Sequence, residues 1–172
     1  MKILFGNQKT LCDFIHLFNL LYQANSFYHE NISFHVSSFQ NAVLLCKRSL
    51  NYLKASKESF KEGLYDVSST NCQISAELLI KSTYLLLGYS FPQTHNIRKL
   101  LSGLAELTLS EKIKDFVKNK RKDLNMVELN RFEGQYSLID IDSETASDCL
   151  DTVENHLLPL MKSVWGDKWC GD

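Results

Sequence analysis

The chain has 172 residues, of which 44% are hydrophobic and 23% are charged. This composition is ordinary for a globular protein and allows one domain with a sizeable core. A formal net charge of −1 and a pI of about 6.5 exclude the overall basic character typical of nucleic-acid-binding proteins, although a local basic face is compatible with them.

The N-terminal part carries one helical pattern, from Lys9 to Gln23, followed by a polar and aromatic stretch. Its longest apolar run, Leu11 to Tyr22, contains an aspartate and a histidine and is shorter than the ~20 apolar residues that span a bilayer. A secretory leader is disfavoured because its hydrophobic region would contain that aspartate and histidine, and because no small-residue cleavage site follows. We predict an N-terminal helical extension over residues 1–38 and no membrane association.

Three helices are predicted in the middle of the chain, over Ser38 to Glu62, Tyr65 to Leu87 and Asn96 to Leu107, because apolar residues recur at three- and four-residue spacing. Gly63 is placed to end the first helix in a left-handed cap. The second helix is apolar or small on two faces, which predicts that it is the central and most buried helix.

The remaining helices are predicted from capping residues. Ser110 begins a fourth helix with apolar residues as far as Leu124. A loop is expected from Arg131 to Ile141, and Asp142 or Ser143 then caps a last helix. Pro159 is expected to kink or shorten that helix because proline lacks a backbone donor.

Alternating β-type patterns are almost absent from the whole chain. The predicted fold class is therefore all-α, with one helical bundle over residues 39–172 and the extension before it.

Five cysteines are scattered along the chain without a CxxC pair; they are Cys12, Cys46, Cys72, Cys149 and Cys170. We interpret them as reduced, mostly buried thiols of an intracellular protein. The one-turn pair of Cys12 and His16 is half a metal site with no second half, and no phosphate-binding glycine-rich motif is present. No metal and no cofactor are predicted.

Several short segments follow one another in a characteristic order. They are Leu50–Lys57, Phe60–Asp66, Ala76–Lys81, His95 with Leu100 and Leu101, and Leu129–Tyr136. This order resembles the HEPN family (higher eukaryotes and prokaryotes nucleotide-binding domain) over about residues 40 to 164. The resemblance implies an up-and-down bundle of four or five helices, usually a homodimer. Many members are metal-independent ribonucleases, often toxins or defence proteins, and many others pair with a small nucleotidyltransferase.

The chain departs from the family's nuclease pattern, in which an arginine is followed, after four to six residues, by a histidine. After Arg131 the corresponding positions hold Tyr136, Ser137 and Leu138. A phenol with an ordinary pKa of about 10 is a poor proton shuttle near neutral pH. We therefore predict a non-catalytic member that binds a nucleotide, RNA or a nucleotidyltransferase-type partner. A divergent metal-independent ribonuclease of toxin or defence type and a structural adaptor module are the alternatives.

The candidate ligand-binding residues are Arg131, Tyr136, His95, Glu77 and Lys81. Glu77 and Lys81 are four residues apart, so they form either a structural ion pair or one wall of a polar pocket. His95 has either a structural role or contact with a ligand. Arg131 and Tyr136 either present a guanidinium and a phenol to a phosphate or base, or are ordinary surface loop residues.

The candidate phosphate-contacting residues are Lys114, Lys118 and Arg121, which recur at helical spacing. Acidic residues alternate with them, so a solvated helix face is the competing interpretation. The predicted partners are a second copy of the chain, a nucleotidyltransferase, and RNA or a nucleotide. The predicted location is the cytoplasm.

Overall fold

The computed structural model describes residues 38–136, 138 and 140–171, and within this part the side chains of residues 130–136 are not described. The chain divides by its internal contacts after Ser37, and the described unit begins at Ser38. The predicted boundary between an extension and a bundle stays a prediction. No strand occurs among the described residues, so the predicted all-α fold class is confirmed. None of the described helices is long and apolar enough to cross a membrane.

Seven α-helices and two short non-α segments make up the described chain. The first helix, α1, covers residues 38–61. The others are α2 (Tyr65–Leu86), α3 (Ile97–Thr108), α4 (Glu111–Asn119), α5 (Arg121–Tyr136), α6 (Ser143–Asp151), a π-helical turn (Thr152–Leu157), α7 (Leu158–Trp165) and a 3₁₀ turn (Gly166–Lys168).

α1 and α2 lie antiparallel and are joined through serine side chains. Ser49 Oγ donates to the Ser75 carbonyl at 2.8 Å, and Ser56 Oγ donates to the Ser68 carbonyl at 2.7 Å. These four serines are fully buried or nearly so. Because serine is small and satisfies its own hydroxyl against the facing backbone, the two helices can approach closely without leaving unpaired polar groups.

α2 is the central helix, as predicted. It contacts α3, α5, α6 and α7, and most of its residues from Ser68 to Tyr84 are buried. On one of its two predicted faces Cys72, Ala76, Ile80 and Thr83 are completely buried, whereas Leu87 at the end of that face is 36% exposed. The other predicted face is less buried, and Val67 at its start is 48% exposed.

Several predicted helix ends agree with the structure. Gly63 has a φ of +75°, and the Leu64 N–H donates to the Ser59 carbonyl at 2.9 Å, which is the bond expected of a left-handed helix cap. Ser110 accepts a hydrogen bond from the Ile113 N–H, and Asp142 accepts one from the Thr145 N–H. Both side chains therefore cap the helices that they were predicted to cap.

Two predictions about the second half of the chain are wrong. The predicted fourth helix is interrupted at Lys120, where α4 ends and α5 begins. The loop predicted from Arg131 is helical as far as Tyr136. Ile113, Leu124 and Val127 are all buried, so the short break allows two helices to direct apolar residues into the same core.

Pro159 does not shorten the last helix. The chain stays helical from Ser143 to Trp165, and the π turn ends at Leu157, two residues before the proline. The Leu158 N–H donates to the Val153 carbonyl, five residues earlier. This wider turn accommodates the residue that cannot donate a backbone hydrogen bond.

The prediction that the cysteines are reduced thiols is wrong for two of them. Cys46 on α1 and Cys170 after the 3₁₀ turn form a disulfide, with Cα atoms 6.1 Å apart, a distance that this bond requires. Cys72 and Cys149 are free and buried. Burial, with a further contribution from the Cys149 thiol, raises the pKa of Cys72 well above its usual value. Cys12 lies outside the described residues.

Candidate functional site

The predicted pair of Glu77 and Lys81 is formed in the middle of α2. Lys81 Nζ lies 2.7 Å from Glu77 Oε1, and the two side chains are only 9% and 8% exposed. Burial pushes the pKa of Glu77 upward, but hydrogen bonds from Lys81, His95 and Gln73 outweigh it and hold the pKa below the usual carboxyl value. Glu77 is therefore a buried carboxylate whose charge is compensated by its neighbours.

His95 joins this pair from the segment between α2 and α3. Its Nδ1 lies 3.0 Å from both carboxylate oxygens of Glu77, while the ring is 70% exposed. Because a carboxylate only accepts hydrogen bonds, this contact requires a proton on Nδ1 and places the lone pair of the neutral ring on Nε2. The structure thus brings together three of the five predicted ligand-binding residues.

A polar stripe of four residues runs along α2 at four-residue spacing. Its members are Ser69, Gln73, Glu77 and Lys81, and all four are buried. Gln73 Nε2 donates to Glu77 Oε2 at 3.3 Å and to the His95 carbonyl at 3.4 Å. At the other end, Lys81 Nζ lies 5.1 Å from the ring centroid of Phe91, which adds a cation–π contact.

Some oxygens near this polar stripe have no hydrogen-bond partner among the described residues. They are Ser69 Oγ, Thr70 Oγ1, Gln73 Oε1 and Glu128 Oε2. An unpaired buried oxygen costs about 1–3 kcal/mol, so native proteins keep few of them. Two of these oxygens, Ser69 Oγ and Gln73 Oε1, belong to the polar stripe itself.

α5 closes the α3 side of this region through side-chain contacts. Asn96 Nδ2 donates to Glu128 Oε1, and Arg98 Nη1 donates to Asn125 Oδ1. Burial raises the pKa of Glu128, against the opposing effects of Arg98 and Asn96. Glu128 is thus held by Asn96.

Arg131 and Tyr136 lie in the last part of α5. Their side chains are outside the described residues, so their role as ligand-binding residues stays a prediction. The sequence pattern predicts a loop at these two residues, whereas their backbone is helical.

Lys114, Lys118 and Arg121 are all exposed. Lys114 Nζ is paired with Glu111 Oε1 at 2.6 Å, a contact typical of a solvated helix face. Their predicted role in contacting phosphate also stays a prediction. No group of three or more histidine, cysteine or acidic side chains suited to a metal ion occurs in the described part of the chain.

The sequence pattern does not single out Gln73, Phe91 or Glu128 as members of this region. The four-residue spacing of Ser69, Gln73, Glu77 and Lys81 is visible in the sequence and would have indicated one polar face on an otherwise apolar helix. Nothing in the sequence would have indicated that Glu128 lies beside Asn96, since the two residues are 32 positions apart.

The fold and this region define an all-α helical bundle whose central helix carries a buried, charge-compensated polar stripe. The family model for the HEPN domain matches residues 42–162 of the chain. Because the match covers well over half of its length, the chain belongs to the HEPN family. Searches of the curated proteins and of the solved structures gave no significant match.

Proposed function

We propose that this HEPN protein is not a ribonuclease and that it binds a nucleotide or RNA. The observation that carries the proposal lies after Arg131, where Tyr136, Ser137 and Leu138 occupy the positions of the nuclease histidine. Without an imidazole, these positions offer no efficient general acid or base near neutral pH. A guanidinium still provides paired donors for a phosphate.

The test is a single-turnover cleavage assay with single-stranded and structured RNAs in the presence of EDTA, combined with equilibrium binding of the same RNAs and of mononucleotides. We expect measurable binding, no cleavage, and weaker binding by Arg131→Ala than by Arg131→Lys, which keeps the charge. RNA cleavage that Arg131→Ala abolishes would refute the proposal, as would the absence of any binding.

A divergent metal-independent ribonuclease is the second candidate function, and the contact between Glu77 and His95 favours it. A carboxylate that holds Nδ1 fixes the tautomer and directs a basic Nε2 away from itself, as in histidine-dependent hydrolases. In this case His95 would act as a general base, with Arg131 and Tyr136 at the phosphate. The ribonuclease hypothesis predicts RNA cleavage in the presence of EDTA. His95→Gln should abolish this cleavage while lowering the melting temperature by no more than a few degrees.

The partner proposals come from the family. We propose a homodimer and, where a small nucleotidyltransferase is encoded beside this chain, a complex with that protein in a toxin–antitoxin or nucleotide-handling pair. Light scattering after gel filtration measures the first, and co-expression with affinity capture measures the second. Repeating both with residues 1–38 removed tests whether the extension acts as an adaptor.

A cytoplasmic location is also a proposal, and the disulfide between Cys46 and Cys170 gives a direct test of it. Disulfides are rare in the reducing cytosol. Thiols in intact cells are blocked with a membrane-permeable alkylating reagent, and the protein is then denatured, reduced and labelled with a second reagent. A second label confined to these two cysteines would indicate an oxidising compartment, whereas its absence would support the cytoplasm.

A further inference from the structure

A cleft of about 420 Å³ lies between α4 and the π turn. Its polar lining comes from Lys112, Asn119, Lys120, Asn155 and His156. Its apolar lining comes from Phe116 and two residues of α7. We call this site the basic cleft, because its lining contains two lysines and a histidine and no carboxylate. Its volume is in the usual range of small-molecule sites, about 300–1,000 Å³.

Two side chains of the basic cleft contact carboxylates at its edge. Lys120 Nζ lies 3.0 Å from Asp123 Oδ2, and His156 Nε2 lies 3.3 Å from Asp151 Oδ2. The pKa of Asp151 is lowered first by a hydrogen bond from Asn155 and then by the neighbouring His156 and Lys120. Asp151 therefore orients the two polar side chains that the π turn contributes to the cleft.

The carboxylates that contact Lys120 and His156 line a different cleft. This neighbouring cleft of about 370 Å³ is lined by Asp123, Asp148 and Asp151, together with Lys122 and two other residues. Lys112 Nζ has the Ser163 hydroxyl as its one partner among the described residues. The lining of the basic cleft therefore offers cationic and neutral polar groups to an anion, and Lys112 is the lysine there that no described carboxylate pairs with.

The π turn contributes two of the polar side chains, Asn155 and His156. Such turns are rare, and they are found often at functional sites because they change the direction of side chains within a continuous helix. Here the turn is built around the backbone bond from Leu158 to Val153. A strictly α-helical chain would present these side chains at different angles.

We propose that the basic cleft binds one nucleotide unit, either free or as part of an RNA strand. The phosphate is placed at Lys112 and Lys120, which supply charge-assisted donors, with the His156 ring beside them. The base lies on the Phe116 ring, and the side-chain amides of Asn119 and Asn155 face its edge, since aromatic and amide groups recognise unstacked bases. This inference rests on the proposed function and gives it a site distinct from Arg131.

The experiment compares variants that each remove two positive charges from the full-length chain. Lys112→Gln/Lys120→Gln empties the basic cleft of its lysines. Lys114→Gln/Lys118→Gln changes the rival outer face of α4. Lys47→Gln/Lys54→Gln on the exposed side of α1 is the matched control. Binding of UMP, AMP, ribose 5-phosphate and a short single-stranded RNA is measured by calorimetry or anisotropy at low salt.

The cleft variant is expected to bind nucleotides about tenfold more weakly or worse, while the α1 control stays within about twofold of the parent. Weaker binding of ribose 5-phosphate than of UMP would support the stacking on Phe116, and equal binding would overturn that part. Binding of free UMP identifies a mononucleotide site, and binding of RNA alone identifies a strand site.

Two outcomes contradict the inference and differ in what they say about the proposed function. In the first outcome the parent binds nucleotide or RNA, but binding by the cleft variant is unchanged or only the Lys114 and Lys118 variant loses binding. The basic cleft is then the wrong site, and the proposed function stands. If the parent binds neither nucleotide nor RNA, the proposed function itself fails. Melting curves of each variant exclude unfolding as the cause.

Discussion

Glu77 and Lys81 form an ion pair that is more than nine-tenths buried within a single helix. Removing one partner of such a pair leaves the other uncompensated, so Glu77→Ala is expected to lower the free energy of unfolding by about 3–5 kcal/mol. Urea denaturation at pH 7 measures it. Lys81→Met should cost less, because His95 and Gln73 still donate to Glu77. A cost below about 1 kcal/mol for Glu77→Ala would contradict this account.

The same carboxylate predicts a pH dependence of stability. The pKa of Glu77 in the folded chain lies below its ordinary value of 4.5, so ionised Glu77 favours folding above that pH. This contribution is lost as the pH falls through the folded pKa. The difference in stability between the parent and Glu77→Gln should therefore shrink below about pH 4.5. Glu62→Gln, at an exposed carboxylate, is the control and should show little change.

The pH dependence of stability due to Glu128 should be opposite in sign to that due to Glu77. Burial raises the pKa of Glu128 in the folded chain, so the folded state binds a proton more tightly than the unfolded state does, and stability falls as the pH rises through this range. Glu128→Gln keeps an oxygen to accept from Asn96 and removes the buried charge. We expect a higher melting temperature than the parent at pH 7 and no gain at pH 4. A loss of stability at pH 7 would show that the charge is needed.

Leu109 ends α3 with a φ of +51° and is 81% exposed. A side chain in this left-handed conformation costs about 1–2 kcal/mol relative to glycine, and little apolar burial would be lost. Leu109→Gly is expected to raise the free energy of unfolding by about 0.5–1 kcal/mol. Gly63→Ala, at the corresponding cap of α1, should lower the free energy of unfolding. Thermal denaturation of both variants and of the parent measures the two effects.

Gly103 allows α3 to approach a buried tyrosine of α2. A Cβ at this position would lie 2.6 Å from Tyr84 Oη, and that hydroxyl donates to the Leu100 carbonyl at 2.7 Å. Gly103→Ala is expected to cost about 1–3 kcal/mol. In a Tyr84→Phe background the added methyl meets only the ring, so the cost should become smaller. Equal costs in the two backgrounds would rule out the hydroxyl as the source.

The helical bundle could be predicted because its signals are local. Apolar spacing along α2, the glycine after α1 and the capping side chains Ser110 and Asp142 each act within one or two helical turns. The break at Lys120 was missed because no proline or glycine marks it, and the chain bends there only so that α4 and α5 can share one core. Tertiary packing decides such a break, and a helical pattern in the sequence does not reveal it.

The candidate site could be predicted in part, because some of its contacts are also local in the sequence. Glu77 and Lys81 are neighbours on one helix, so their contact follows from four-residue spacing alone. The contact from His95 to Glu77 spans 18 positions and depends on how the segment after α2 folds back. The basic cleft joins α4 to the π turn, and its two walls come from segments that are more than thirty residues apart in the sequence.

The disulfide between Cys46 and Cys170 joins residues separated by 124 positions and turns most of the bundle into a covalent ring. A protease that cuts any loop between these residues opens the ring without releasing a fragment. The nicked chain would keep its mass until a reductant is added, and its pieces would stay at a high effective concentration. Cleavage in the segment between α5 and α6 would therefore leave one band on a non-reducing gel and two after reduction.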